Sequence, residues 1–368
     1  MATREYVPVG IPVNETELDS GSAELALRAD GFPAGLITAL QDACAKYPYR
    51  FWICDNSGSM GAPDGSVMIT YPGETPRFST APRSRELKQT IDLHLRLSDA
   101  LGVRSDFHFL HPRGAMQYVT LEPSGGNEKH GLFGALVGSE NRGNIDQVRA
   151  WVDRLIEPGN TTPLSVQVEK LVHMLRPMAA EMVKADERAT VVIATDGIPN
   201  SPQNFLHQMK QLQQLPVWVI VRLCTSEDNI VEYWCNLDKS LEAPLEVLDD
   251  LQGEAREVSR CNSWLTYAPQ LHTARMFGLR NLLFDRLDEA PLSPSQVKQF
   301  CELLLGCGPL PEPELDSAAF LQQLKVAVKA AGKVYDPLRR SMKPWVNMTR
   351  LRLKLLAWQY LGACGRCF

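Results

Sequence analysis

The sequence lacks the long apolar segments that mark exported and membrane-embedded proteins. Its opening stretch, MATREYVPVGIPVNETELDSGSAEL, has no apolar core of the kind found in secretory signals. No window reaches the roughly 20 apolar residues that a membrane-spanning helix requires. We therefore expect a cytoplasmic protein without a transmembrane segment.

A strong surplus of charge is also missing. The 368 residues include 38 Lys and Arg against 43 Asp and Glu, for a formal net charge of -5, and 44% of the residues are apolar. Such a balance is typical of a globular protein with a sizeable core, and not of a disordered, collagen-like or nucleic-acid-coating chain. We therefore expect no nucleic acid among the partners.

Motifs for disulfide frameworks, zinc clusters and nucleotide binding are absent as well. The nine cysteines are an odd number and are scattered, which indicates reduced thiols. Cys364 and Cys367 are spaced like half of a zinc or redox site, but no second pair completes it, so we interpret them as incidental. Since neither Gly-x-Gly-x-x-Gly after a strand nor a Lys-Ser/Thr phosphate loop occurs, a nucleotide enzyme has no anchor.

What the chain does contain is an alternation of buried strands and amphipathic helices. Three short apolar runs, at 49–54, 189–195 and 217–224, are rich in β-branched and aromatic residues, as in strands covered on both faces. Helical patterns lie around them, for example in SRELKQTIDLHLRLSDALG and NIDQVRAWVDRLI. This order predicts an α/β fold with a doubly wound, mainly parallel sheet flanked by helices, and with a C-terminal helical appendage.

The pattern of predicted strands and helices divides the chain into three regions. We predict an N-terminal extension with a helix at 1–48, the α/β domain at 49–290, and a helical C-terminal region at 291–368. An insertion at about 62–84 interrupts the domain, and its segment YPGETP is typical of a hairpin turn.

The last helical segment is basic. Between 333 and 366 there are eight Lys and Arg but only one acid, and Met348, Leu351, Leu355 and Trp358 would form one apolar stripe. We expect the stripe to pack on the rest of the protein. Contact of this basic helix with an acidic partner or surface stays open.

A candidate site begins where the first apolar run ends, in FWICDNSGSMG. A strand that ends in Asp55 puts the carboxylate at the carboxyl edge of the sheet, where open α/β folds bind ligands. Ser57 and Ser59 follow at intervals of two. Three oxygens at this spacing suit a hard cation such as magnesium, although a Ser/Gly turn with Asp55 capping local amides explains the pattern as well.

A second apolar run also ends in an acid, because Asp196 follows Thr195 in VVIATDGIPNS. Two strands that each end in Asp bring two carboxylates together, which costs repulsion unless a cation lies between them. A third segment, PGNTTPLS, adds Thr162, which either caps a helix that begins at Pro163 or contributes a further hydroxyl to the same site.

In this order, Asp-x-Ser-x-Ser, then Thr, then Thr-Asp-Gly, the segments resemble the von Willebrand factor A family and its metal-ion-dependent adhesion site. The resemblance covers about residues 49–250. It implies Mg2+, with Mn2+ or Ca2+ as alternatives, at a site formed by Asp55, Ser57, Ser59, Thr162 and Asp196. The family's Gly-Gly-Thr-Pro-Leu form aligns best with Thr162 in NTTPL, and Thr161 is the alternative. The insertion after Gly61 and the C-terminal helices depart from the family's pattern.

The resemblance further implies a non-catalytic protein-interaction module, in which an Asp or Glu of a partner protein completes the coordination of the cation. Two other functions stay open. SGSMG is one substitution away from a nucleophile elbow, so a serine hydrolase would use Ser59 as nucleophile, with Asp196 and His207 following in hydrolase order. A scaffold protein with a structural metal is the third hypothesis.

Overall fold

The structure is a computed structural model that describes residues 20–71, 74–124, 141–157, 159, 161–225, 227–243 and 245–364. Three sequence predictions fall partly outside these ranges. They concern the first 19 residues of the N-terminal extension, the Pro-Gly pair of the YPGETP turn, and Cys367 of the incidental pair.

The strands form one large sheet and two hairpins. In chain order they are β1 (Tyr49–Cys54), β2 (Gly65–Ile69), β3 (Arg77–Ala81), β4 (Ser105–Arg113), β5 (Met116–Leu121), β6 (Arg142–Gly143), β7 (Ala189–Thr195), β8 (Val217–Leu223), β9 (Glu246–Leu248), β10 (Lys333–Asp336) and β11 (Ser341–Pro344). The large sheet has the order β6-β5-β4-β1-β7-β8-β9. Within it only β4 and β5 pair antiparallel, so the sheet is mainly parallel, as predicted.

Helices connect and surround these strands. In chain order they are α1 (Ser20–Ala29), α2 (Ala34–Lys46), α3 (Arg83–Ala100), α4 (Ile145–Leu155), α5 (Leu164–Leu175), α6 (Ala179–Lys184), α7 (Pro202–Gln213), α8 (Asp228–Lys239), α9 (Leu251–Cys261), α10 (Pro269–Met276), α11 (Leu282–Glu289), α12 (Pro294–Leu305), α13 (Ser317–Ala330) and α14 (Met348–Cys364). None of the described helices is both long and apolar enough to cross a bilayer.

Both faces of the sheet are covered, which explains why the central strands read as continuous apolar runs. On one face Phe51 and Ile53 share a core with side chains of α5, α7 and α8. On the other face Trp52 and Cys54 pack with side chains of α3 and α4. Because successive residues of a strand point to opposite faces, a strand covered on both sides needs apolar residues at every position. The predicted doubly wound α/β architecture is therefore confirmed.

A third core lies beside the sheet and is formed by helices from early and late parts of the chain. It combines side chains of α1 and α2 with those of the helices from α9 onwards. The region predicted to be helical also contains the antiparallel pair β10 and β11, which the sequence analysis did not predict. The division into three regions stays a prediction.

The apolar stripe of α14 is partly buried. Leu351 is 0% exposed and Leu355 3% exposed, and both belong to the third core. Trp358 is 40% exposed, and Leu353 and Leu356 on neighbouring positions are also exposed. The stripe therefore packs over its first two turns, as expected, while the later apolar side chains remain at the surface.

The insertion forms a hairpin that is fixed to α3. β2 and β3 pair antiparallel from Gly65 with Ala81 to Ile69 with Arg77, as the YPGETP segment predicts. On the outer edge of β2, Gln89 accepts from the Met68 amide and donates to its carbonyl, both at 2.8 Å. Glu86 accepts from the Ser66 amide at 2.8 Å. These side chains from α3 take the place of a further strand and hold the hairpin against the helix.

The seven cysteines whose side chains are described are free, in line with the predicted reduced thiols. They are Cys44, Cys54, Cys224, Cys235, Cys261, Cys301 and Cys307.

His94 on α3 is a buried histidine without hydrogen bonds to its ring nitrogens among the described residues. Its ring packs against Trp52 and Phe277, with centroids 4.6 and 5.8 Å apart. Burial lowers the pKa of His94 to about 3, and the buried cations Arg50 and Arg222 add to this effect. The folded protein therefore holds the neutral imidazole.

This burial predicts a specific acid sensitivity. An unfolded histidine takes up its proton near pH 6.5, whereas folded His94 does so only near pH 3, so stability present above pH 6.5 is lost as the pH falls through this window. The loss due to His94 is about 1.4 kcal/mol per pH unit. Urea denaturation between about pH 6 and pH 4 should show that the free energy of unfolding of His94→Phe falls less steeply, by about that amount. Parallel curves for both proteins would contradict the assignment.

Candidate metal centre

Asp55 directly follows β1 and is 0% exposed. The Asp55 amide donates to Ala194 O at 2.8 Å, so the pairing with β7 continues up to the carboxylate. Asp55 Oδ1 accepts from the Ser57 amide at 2.8 Å, and Oδ2 accepts from Thr195 Oγ1 at 2.5 Å. The carboxylate is thus oriented at the edge where β1 meets β7. The chain leaves β1 towards β4 on one side and later reaches β7 on the other, which makes this a topological switch point.

A continuous chain of oxygen contacts joins the first and last segments of the predicted site. A 3-10 turn at Gly58–Gly61 turns Ser59 back towards the sheet. Ser57 Oγ lies 3.0 Å from Ser59 Oγ, and Ser59 Oγ donates to Asp196 Oδ1 at 2.8 Å. Octahedral Mg2+ with ligands at about 2.1 Å spaces adjacent ligand oxygens by about 3.0 Å. The two separations are ordinary hydrogen-bond lengths and are also compatible with the edges of a magnesium shell.

Thr162 lies next to the residue that follows Asp196. A Cβ placed on Gly197 would be 3.8 Å from Thr162 Oγ1. The Thr162 amide donates to Asn200 Oδ1 at 3.1 Å, and the Asn200 amide donates to Thr162 O at 3.3 Å, which ties the two segments together. Thr162 does not cap α5, because Pro163 occupies the N-cap position. The alternative residue, Thr161, is exposed, and its carbonyl accepts from His111 Nε2 at 2.6 Å.

Asn56, which the sequence analysis passed over, anchors the motif from behind. It is 0% exposed. Its Nδ2 donates to Leu155 O at 2.7 Å and to His111 O at 3.1 Å, and its Oδ1 accepts from the His111 amide at 2.8 Å. One side chain thereby connects the end of β1 to β4 and to α4. Only the position of Asn56 between the candidate ligands Asp55 and Ser57 could have suggested this role.

The electrostatics of Asp55 favour a positive charge nearby. Burial raises the pKa of Asp55 above its ordinary value, and the neighbouring Asp196 adds to the rise. Hydrogen bonds from Thr195 and Ser57 oppose it only in part. A carboxylate in this setting is stabilised in its ionised form by any cation at the sheet edge.

Arg83, the first residue of α3, provides one such charge and was not singled out from the sequence. Its Nη1 donates to Asp196 Oδ2 at 2.9 Å. Asp64 accepts from Nε and Nη2 at 2.7 and 2.6 Å, and Glu227 Oε1 accepts from Nη2 at 2.7 Å. The Arg83 side chain is 5% exposed, whereas those of Asp64 and Glu227 are 57% and 51% exposed. Arg83 therefore connects the buried carboxylate of Asp196 to the two exposed carboxylates of Asp64 and Glu227.

The chemistry of the donor set fits a hard divalent cation. The residues Asp55, Ser57, Ser59, Thr162 and Asp196 offer carboxylate and hydroxyl oxygens without thiol or imidazole groups, and such oxygens are the ligands that Mg2+, Mn2+ and Ca2+ prefer. Asp196 turns Oδ1 towards the serines and Oδ2 towards Arg83. One carboxylate oxygen therefore stays available on the serine side.

The residues named for a hydrolase are not arranged as a triad. Among the described residues Ser59 has Ser57 and Asp196 as hydrogen-bond partners, with no imidazole between them. His207 is exposed on α7. The Asp196 carboxylate thus contacts the Ser59 hydroxyl directly, whereas a Ser-His-Asp triad has a histidine between the two.

A second group of carboxylates lies far along the chain. Oxygens of Glu254, Glu257 and Asp288 lie within 4.8 Å of one another. Arg275 already pairs with Glu254 at 2.6 Å and with Asp288 at 3.0 Å. The group is therefore part of an ion-pair cluster.

No protein-family model matches the chain, and no curated protein matches it. Among solved structures, it is similar to the crystal structure of the manganese-loaded TRAP protein of Plasmodium vivax. The identity is 15%, the match covers 56% of this chain and 70% of that chain, and the TM-score is 0.31. A likeness of this size adds no argument about the site.

The anchor role of Asn56 predicts an unusual order of stabilities. Asn56→Asp keeps the shape of the side chain but removes both donors to Leu155 O and His111 O, so it should destabilise by about 3 kcal/mol or more and at least as much as Asn56→Ala. Urea denaturation measures both, with the exposed Asn204→Asp as the matched control, expected within about 0.5 kcal/mol of the parent. An Asn56→Asp protein as stable as the control would refute the role.

Proposed function

We propose that the chain is a non-catalytic, metal-dependent protein-binding module of the von Willebrand factor A type. Its sheet-edge site would bind Mg2+, with Mn2+ or Ca2+ as alternatives, and through the cation an Asp or Glu of a partner protein. The observation that carries this proposal is the chain of contacts from Ser57 through Ser59 to Asp196, with separations of 3.0 and 2.8 Å. It joins segments more than a hundred residues apart with the spacing of a magnesium shell.

The division of labour among the residues follows from their contacts. Asp55, Ser57, Ser59, Thr162 and Asp196 would hold the cation, which when bound supplies an electrophilic position for a carboxylate. Thr195 and the Ser57 amide keep the Asp55 carboxylate in place. Asn56 fixes the backbone between the two ligand positions against β4 and α4. A preformed donor set of this kind lowers the cost of ordering when the cation binds.

A binding role is favoured over hydrolysis for two reasons. Ser59 donates a hydrogen bond to Asp196, a carboxylate that is also paired with Arg83. A nucleophilic serine needs a neighbouring base of suitable pKa, and His207 stands exposed on α7 instead. The serines therefore serve better as neutral ligands, which add no negative charge to that of Asp55 and Asp196 and leave a bound cation able to accept an incoming carboxylate.

Metal titration tests the site. Isothermal titration calorimetry with Mg2+, and with Mn2+ as a tighter-binding probe, should give one site per chain. Asp55→Asn and Ser59→Ala should each lower the affinity for the metal by about tenfold or more, because the first removes a negative charge and the second removes a ligand. Ser98→Ala, which also removes a buried hydroxyl with a serine partner but lies on α3, should leave the affinity unchanged. Equal affinities in all four proteins would sink the assignment.

The partner claim has its own test. A protein captured by the immobilised chain in Mg2+ should be released by EDTA and should not be retained by Asp55→Asn. Substitution of Asp or Glu by Asn or Gln in the captured partner should identify one carboxylate whose loss abolishes binding. Capture that persists in EDTA would contradict the proposal, and if EDTA also lowers the melting temperature, the cation has a structural role, as in a scaffold protein.

A further inference from the structure

The strongest unassigned feature of the molecule is the guanidinium of Arg83, which contacts three carboxylates. Resting on the proposed function, we propose that Arg83 is a built-in counter-cation of the metal site. It compensates Asp196 when no divalent cation is bound, and it lowers the affinity for that cation so that a partner carboxylate is needed for tight binding.

The contacts show that Arg83 and a cation would use different oxygens of the same carboxylate. Arg83 Nη1 takes Asp196 Oδ2, while Oδ1 accepts from Ser59. A divalent cation among the serine hydroxyls therefore need not displace Arg83. The positive charge behind the carboxylate remains in place and opposes the second positive charge in front of it.

The position of Arg83 at the start of α3 is electrostatically unfavourable for a cationic side chain. The start of a helix carries a partial positive charge, so a cationic side chain at the first residue of α3 is unfavourable unless anions surround it. Asp196, Asp64 and Glu227 provide these anions. The Arg83 amide donates to Ala62 O at 3.0 Å, which closes the base of the hairpin on the residue that begins the insertion.

Close packing at Gly65 keeps this position fixed. A Cβ on Gly65 would come within 2.8 Å of Arg83 Cα and of Arg83 N, distances that real side chains do not reach. The hairpin can therefore approach the start of α3 only because residue 65 is glycine. Arg83 is held from its backbone as well as through its guanidinium.

Charge compensation has two consequences for the site. Without a divalent cation, Asp196 is a buried carboxylate with a buried ionic partner, so the donor set stays assembled. With a cation, the added repulsion lowers the affinity of the free protein. A partner carboxylate then brings the negative charge that restores tight binding, which makes metal and partner binding mutually dependent.

Arg83→Gln tests both consequences. Its melting temperature in EDTA should fall by roughly 5 °C or more, because Asp196 loses its partner. Saturating Mg2+ should raise the melting temperature of the variant more than that of the parent protein, and calorimetry with Mg2+ and Mn2+ should show about tenfold tighter binding. Unchanged or weaker affinity would overturn the proposal.

Two further variants separate this effect from a general loss of stability. Arg275→Gln removes another buried arginine that pairs with three carboxylates, so it should also lower the melting temperature but leave Mg2+ affinity unchanged. In Arg83→Gln with Asp196→Asn the uncompensated charge is gone, so the melting temperature in EDTA should rise above that of Arg83→Gln alone. A double variant no more stable than the single one would refute the role of Arg83 as counter-cation. If Arg83→Gln alone does not fold, the comparison still tests the role, because the double variant should then fold.

Failure of the proposed function gives a different result. If neither the parent protein nor Arg83→Gln binds Mg2+ or Mn2+ in calorimetry, the metal site itself is refuted, together with the claim about affinity. If both bind but their melting temperatures in EDTA agree, only the role of Arg83 is refuted.

Discussion

The constraint on which this molecule depends is the meeting of two buried carboxylates at one edge of a parallel sheet. β1 and β7 are neighbours with Cys54 opposite Ala194, so the acids that follow them reach the same edge. Asp55 is 0% exposed and Asp196 1% exposed. Like charges removed from water in this way destabilise the fold unless donors and cations surround them. Neutral donors hold Asp55, whereas a hydroxyl and a guanidinium share Asp196.

A second buried arginine also compensates carboxylates, but in a cluster that connects parts of the fold. Arg275 on α10 pairs with Glu246 of β9, Glu254 of α9 and Asp288 of α11, at 2.6 to 3.0 Å. It connects the edge of the sheet to the helices of the third core. Each of these carboxylates directs an oxygen at the guanidinium, and none of them has a serine hydroxyl as a hydrogen-bond partner among the described residues. Asp196, in contrast, accepts from Ser59 at Oδ1. The contact with a serine hydroxyl distinguishes the candidate metal site from this ion-pair cluster.

A structural feature could be predicted from the sequence when consecutive residues determine it, and not when it depends on distant parts of the chain. The apolar runs at 49–54 and 189–195 predicted β1 and β7 because burial on both faces is written in consecutive residues. The acids after them could be placed together for the same reason. β10 and β11 were missed since their short, half-polar segments pair only in their tertiary setting, where Tyr335 packs near Phe78 of the first hairpin. The choice of Thr162 over Thr161 came from the alignment with the Gly-Gly-Thr-Pro-Leu form and stays a prediction.

Arg83 could not be found from the sequence because its role requires the full path of the insertion. Its contact with Asp196 joins residues 113 positions apart and exists only if the hairpin returns to Ala62 at its base. Gln89 and Glu86 fix the hairpin on the helix that Arg83 begins. The hairpin and the charge beside Asp196 therefore belong to one continuous piece of chain. A change in the length of the insertion would therefore alter both at once.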